Sequence, residues 1–377
     1  MKRILMTLAM SVLLAWAPLA KAERSELGEL QLTEMVGGLE HPWSLVFLPD
    51  GQGSLITERP GRLRWLNAQG QLSAPLGGVP AVFARGQGGL LDVALSPGFA
   101  SDRRVYLSFA EADADGERAG TAVGFGRLKE DMSALENFRV IFRQQPKLSE
   151  GLHFGSRLAF DRQGFLYISL GENNQRATAQ ELEKLQGKLV RLNPDGSVPP
   201  DNPFVGREGV RPEIWSYGHR NPQGMALNPW SDAIWLHEHG PRGGDEINLP
   251  LKGRNYGWPK ATHGINYSFL PIPEAEGEQV AGTEAPHHVW KKSPAVSGMA
   301  FYSAERFPAW QHSLFIGALA DRSLIRLRLD GDKVGHEERL LQDRGWRIRD
   351  VRQGPDGYLY LLTDAPDGNL VRLGLAD

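Results

Sequence analysis

Two kinds of side chain in this sequence could do chemistry together: one that takes a proton and several that grip oxygen. His153 lies in Gly151-Leu-His-Phe-Gly155, just ahead of the strand-forming run Arg157-Leu-Ala-Phe160. An imidazole there can accept a proton near neutral pH, although most of the ten histidines must have structural tasks. Glu172, in Leu170-Gly-Glu-Asn-Asn174, is placed to orient that imidazole or hold a second proton; its plain alternative is a solvated loop carboxylate. Gln87 sits among the glycines of Arg85-Gly-Gln-Gly-Gly89, which let backbone approach a bulky ligand closely or simply form a tight turn. Arg220, Asn221 and Gln223, in Gly218-His-Arg-Asn-Pro-Gln-Gly224, offer a fixed cation and two amides for anionic or carbonyl oxygens. Arg347 and Arg349, separated by Ile348, share one face of a strand and can grip carboxylates by paired hydrogen bonds. The segment His237-Glu-His-Gly-Pro-Arg-Gly-Gly-Asp-Glu246 invites a metal reading. His237 and His239 lack a third evident zinc ligand, whereas a Gly240-Pro241 turn followed by Asp245 and Glu246 supplies the carbonyls and carboxylates that calcium accepts.

These residues are far apart in sequence, so the elements between them must bring them together. One short apolar pattern recurs six times, centred on Leu55, Val105, Leu166, Ile234, Leu314 and Leu359, at intervals of roughly 45 to 80 residues. Turns such as Leu48-Pro-Asp-Gly51, Asp161-Arg-Gln-Gly164 and Gly354-Pro-Asp-Gly357 precede several copies and reverse the chain into a strand. The strands read as nearly continuous apolar runs, Leu166-Tyr-Ile-Ser169 and Leu359-Tyr-Leu-Leu362 among them, as expected where both faces are covered. The pattern predicts an all-β fold, a six-bladed β-propeller with four-stranded antiparallel blades; the alternative is a set of unrelated hairpins in two β-domains. In a propeller the loops at one end of the central channel converge, which is where the polar candidates belong.

Composition narrows the setting. Met1-Lys-Arg3 followed by the apolar stretch Ile4 to Leu19 and Ala20-Lys-Ala22 has the layout of a secretory leader cleaved after Ala22, and the stretch is short for a membrane anchor. The expectation is a periplasmic or secreted protein whose residues 23–377 form one propeller. The chain has no cysteine, so its stability must come from its core and bound ligands. Its net charge of −3 becomes three units more negative once Lys2, Arg3 and Lys21 are removed. No basic stripe interleaved with aromatics is present, which argues against nucleic acid as a partner.

Taken in order, Gly86-Gln-Gly-Gly-Leu-Leu-Asp92, His153-Phe-Gly155, Leu185-Gln-Gly-Lys-Leu-Val-Arg191, Arg220-Asn-Pro-Gln-Gly224, Glu238-His-Gly-Pro241 with Asp245-Glu-Ile-Asn248, and Arg347-Ile-Arg349 resemble the soluble sugar dehydrogenases that use pyrroloquinoline quinone (PQQ), the glucose and sorbosone dehydrogenase family. The resemblance runs from about His41 to Asp364 and is nearest to the aldose sugar dehydrogenase branch. It implies a quinone in the channel mouth, with its carboxylates on Arg347 and Arg349 and further contacts from Gln87, Arg220, Asn221, Gln223 and Tyr267. It also implies a calcium ion on the carbonyls of Gly240 and Pro241, a second structural calcium at Glu246 and Tyr256, and His153 as catalytic base. Oxidation of an aldose at C1 to a lactone follows, with an external electron acceptor taking the electrons. A monomer or weak dimer is the expected state. Two departures stand out: Ala320, with Arg322 nearby, where the family tends to have a lysine, and Leu152 and Glu172 where its glucose-specific branch has other acidic groups, so glucose specificity is not implied. The competing classes are a calcium-dependent propeller lactonase, which would not need the arginine pair, and a non-catalytic carbohydrate-binding propeller.

Overall fold

The computed structural model describes residues 23–376. The expected leader therefore lies outside the described residues. The chain forms six antiparallel sheets, five of them meanders in which each strand pairs with the next, and a sixth that also takes in the N-terminal strands. Their innermost strands are Pro42–Phe47, Leu90–Leu95, Gly155–Phe160, Pro222–Leu227, Val296–Tyr302 and Ile348–Gln353. Each packs beside the innermost strand of the next sheet, and the sixth packs against the first, so the sheets form a closed ring of six blades.

The six apolar repeats are the second strands of the six blades. Leu55, Val105, Leu166, Leu314 and Leu359 are fully buried and Ile234 nearly so, each within the strands Ser54–Glu58, Arg104–Ala112, Leu166–Leu170, Ile234–Glu238, Ser313–Ala318 and Leu359–Thr363. The reason lies in the packing of blade on blade, since a second strand contacts an apolar layer on both sides. Leu166 and Ile168, for example, meet Tyr106 and Phe125 of the preceding blade. Four blades have four strands; the first has three, extended by a single bridge between Leu66 and Leu72. The last has five because the N-terminal strand Gly28–Leu39 pairs with Gly368–Leu375 and joins the chain's two ends in one sheet.

All six innermost strands carry a register shift near their start, where the ladder with the second strand is interrupted. A bulge twists and re-aims the backbone at that point, and here the six bulges surround the channel. Within the channel, Arg157 reaches across the axis to Asp92 of the second blade and Asp350 of the sixth, at 3.1 and 3.2 Å, and to the carbonyl of Gln223 in the fourth. Arg352 closes the network by bonding Asp350, Asp92 and Ser44. Buried charges of this kind persist only when paired, and here the pairing ties most of the ring together.

Candidate active site

The starts of the innermost strands and the ends of the second strands meet at one end of the channel. They enclose a cavity of about 560 Å³ lined by Gln87, Asn221, Gln223, Arg347 and Arg349 together with Trp43, Phe154, His239 and Asp364. Polar side chains thus stand around a floor that is partly aromatic, the usual make-up of a small-molecule site.

His153 stands beside this cavity, between Leu152 and the lining residue Phe154, in a left-handed turn with φ of 48°. Its Nδ1 lies 3.0 Å from Oε2 of Glu172, whose carboxylate is fully buried. That carboxylate also accepts the backbone N–H of Asn174, and the His153 N–H donates to Gln87 Oε1 at 2.9 Å. A buried carboxylate on one ring nitrogen fixes the tautomer: Nδ1 carries the hydrogen and Nε2 keeps a lone pair. Gly171 allows the pairing, because a Cβ there would stand 1.8 Å from the His153 carbonyl oxygen. The glycines around Gln87 have a related task. Gly86 adopts φ of 58°, a Cβ on it would stand 2.4 Å from the Gly151 carbonyl oxygen, and the Gln87 N–H donates to that same oxygen. Their observed role is to dock this loop on the histidine loop.

Opposite, Arg347 and Arg349 both donate to Oδ2 of Asp364, at 2.9 and 3.0 Å. Arg347, just ahead of the strand Ile348–Gln353, and Arg349, at its bulge, thus reach the same carboxylate, while Asp350, the neighbouring acid, turns instead to the axial arginines. The two guanidinium groups hold the Asp364 carboxyl far below the usual carboxylate range despite its burial. Two cations on one carboxylate leave a net positive charge, and Arg349 Nε is buried without a partner. Arg349 also donates to Gln223 Oε1 at 3.3 Å, and Gln223 Nε2 donates to Asn221 Oδ1 at 3.2 Å. This surface suits an anionic ligand with several oxygens, so a tricarboxylate fits its donor set.

The residues expected to hold calcium are grouped beside a second, much smaller cavity, lined by Arg220, Glu238, His239, Gly240, Pro241, Glu246 and Tyr256. Arg220 donates to the carbonyls of Gly240 and His239 at 2.8 and 3.2 Å, and its Nε is buried without a partner. Burial raises the Glu246 carboxyl well above its ordinary range, and the adjacent Glu238 charge adds to the effect. Asn248 Nδ2 donates to both carboxylates. The oxygen donors, with a Glu246 carboxyl that is costly to ionise unaided, fit a hard divalent cation. Among the described residues no group of three or more His, Asp or Glu side chains forms a ready-made metal cage, so backbone carbonyls would have to contribute. Tyr256 uses its hydroxyl locally, donating to the Leu249 carbonyl and accepting from the Leu251 N–H, while its ring stacks on His219.

Comparison with known proteins places the chain among its relatives. The glucose/sorbosone dehydrogenase family model matches residues 39–372. The chain belongs to that family. It is 64% identical over 335 residues to the aldose sugar dehydrogenase YliI of Escherichia coli K12, covering 89% of this chain and 90% of that one. The crystal structure of the soluble E. coli aldose sugar dehydrogenase in its apo form superposes with a TM-score of 0.91 at 62% identity, over 92% of this chain and all of that one. The PQQ-bound aldose sugar dehydrogenase of Streptomyces coelicolor superposes with a TM-score of 0.75 at 28% identity, over 94% of this chain and all of that one.

Against the family expectation, the structure brings Gln87, Asn221, Gln223, Arg347 and Arg349 to the main cavity, while Arg220 lines the smaller one and meets it across His239. Tyr267 lines neither. It is 69% exposed in a separate depression on the rim, beside Ala320, in the long interval between the fourth and fifth repeats. The sequence reading missed Trp43, His41, Arg59, Leu319 and Asp364 and set His239 aside. A signal existed: Arg59, His239, Leu319 and Asp364 each directly follow a second strand, the same place in four of the six repeats.

Proposed function

We propose that this protein is a quinoprotein dehydrogenase that oxidises aldoses at C1 to lactones, with PQQ in the main cavity, calcium beside it and His153 as general base. What supports the reading is a cavity lined by Arg347 and Arg349 and also by Gln87 and Phe154, the residues that bond and adjoin His153, in a member of a sugar dehydrogenase family. A relative crystallised with PQQ supports the choice of cofactor. When bound, the quinone supplies the hydride acceptor.

The protein's own residues supply the rest. Arg347 and Arg349 would hold carboxylates of the cofactor, with Gln87, Asn221 and Gln223 offering amide groups to hydrogen-bond it. Glu172 keeps the hydrogen of His153 on Nδ1, leaving Nε2 to take the proton from the anomeric hydroxyl. Arg220 and a divalent cation held by the Gly240 and Pro241 carbonyls would place positive charge where negative charge develops, the most effective position for it. A second cation beside Glu246 would favour the ionised form of that carboxyl and brace the loop through Tyr256. Export by the N-terminal leader completes the proposal, with an external acceptor collecting the electrons.

The test uses the mature apoprotein, with PQQ and calcium added together or singly, and follows dye reduction by several aldoses. Reduction that needs sugar, quinone and calcium supports the proposal. Lactone hydrolysis without quinone would mark a lactonase, and neither activity would mark a binding protein.

A further inference from the structure

Beside the main cavity, on the same rim, lies an open depression of about 420 Å³ lined by Arg242, Lys291, Lys292, Ile265, Tyr267 and Ala320. It shares Ala295 with the main cavity and Pro241 with the small one, so it adjoins both. Its charge is unusual in a chain whose net charge is −3. Arg242, Lys291 and Lys292 are all exposed, and none of them has a carboxylate partner among the described residues. Two acids close by in sequence are engaged: Asp245 is buried and accepts the N–H groups of Gly240, Ala295 and Val296, while Asp321 is held by Arg339. The apolar part is equally open, with Tyr267, Phe269 and Leu270 between 64% and 69% exposed and the Arg242 guanidinium 4.0 Å from the Phe269 ring centre.

Three uncompensated cations around a partly aromatic hollow attract an anion and offer its flat or apolar part a surface. We propose that this depression is the docking site for an anionic one-electron acceptor, a site distinct from the cavity where sugar reacts. The proposal rests on the dehydrogenase reading. Oxidation of one aldose to a lactone releases two electrons and two protons; two acceptor molecules take one electron each, and the protons pass to solvent. A separate acceptor site lets sugar occupy the His153 cavity while electrons leave sideways past Pro241 and Ala295. It also accounts for Tyr267 standing away from the main cavity, on the outer surface that the acceptor would touch.

The test needs no cofactor for its first reading. Ferrocyanide is titrated calorimetrically into the apoprotein at low ionic strength, with the Lys291→Glu/Lys292→Glu double variant and the neutral trisaccharide maltotriose as comparisons. The proposal expects saturable ferrocyanide binding that weakens with added salt and weakens about 10-fold or more on charge reversal. In the PQQ-loaded protein, the same reversal should lower the second-order rate with ferricyanide at least as far. The rate with a neutral quinone acceptor, and single-turnover oxidation of sugar without acceptor, should stay unchanged. Ferrocyanide binding indifferent to both salt and charge reversal, or a depression that binds maltotriose and not ferrocyanide, overturns the site. Absence of sugar oxidation in the loaded wild type while ferrocyanide binding behaves as expected would instead count against the dehydrogenase reading and, with it, the acceptor role of the site.

Discussion

At the scale of single residues, the site is a set of groups each held by a partner. The Glu172 carboxylate is buried and holds both the His153 ring and the Asn174 N–H of its own loop. If His153 is the base, His153→Ala lowers turnover by about 10²- to 10⁴-fold while quinone affinity, followed by fluorescence titration, changes little. Glu172→Gln keeps the size of the side chain but removes its charge, and the expected result is a lower kcat at unchanged quinone affinity. Arg349 is the stronger test of cofactor binding, because it is largely buried and its Nε lacks a partner. Truncation to alanine should cost about 2–5 kcal/mol of quinone affinity, roughly 30-fold or more, as for a buried, hydrogen-bonded charge lost from one side of a complex. Arg347 and Arg349 were legible as two guanidinium groups spaced two residues apart, although Arg347 precedes the strand and Arg349 sits at its bulge. Their partner was not: Asp364 comes opposite them only through the pairing of Ile348 with Thr363, a register that composition does not reveal.

At the scale of elements, the repeated apolar strand was the readable signal and the bulged strand beside it was not. A second strand is covered on both sides and so is written in apolar residues throughout. An innermost strand faces the polar channel and is broken by its bulge, which mixes Gly, Ser, Arg and Asp into its pattern. The glycines near the site show the same limit. Their presence pointed to close approach, but whether the neighbour is a ligand or another loop depends on the fold, and at Gly86 it is the histidine loop. Gly171 is the sharper case, since a methyl group would strike the His153 carbonyl oxygen. Gly171→Ala should therefore displace the base, and kinetics should show a larger loss in turnover than the about 1–3 kcal/mol of stability expected for overpacking, measured by urea denaturation.

At the scale of the whole molecule, two features make the ring act as one body. The N-terminal strand closes the last blade, and the axial arginines bond acids from different blades. Asp350→Ala leaves Arg157 and Arg352 short of a partner in the channel, and a loss of about 3–5 kcal/mol is expected from chemical denaturation. Acid sensitivity should have a source in His237, which is fully buried with neither ring nitrogen bonded. Burial, reinforced by the charges of His239 and Arg157, holds its pKa well below the ordinary 6.5. The unfolded chain therefore takes up a proton first as pH falls below 6.5, and the folded one does not. This contribution to stability is fully present above 6.5 and is lost toward lower pH, with a slope of up to about 1.4 kcal/mol per pH unit. Urea midpoints compared between pH 7.5 and 5.5 should show a smaller drop in His237→Leu than in the unsubstituted protein.

The most direct test of the central claim is single-turnover absorbance spectroscopy of the PQQ- and calcium-loaded protein mixed with an aldose in the absence of any acceptor. The expected result is a rapid, sugar-dependent loss of the quinone spectrum in the unsubstituted protein, slowed by about 10²-fold or more in His153→Ala at equal quinone occupancy. An unchanged rate in that variant, or no spectral change with any aldose, would contradict the account.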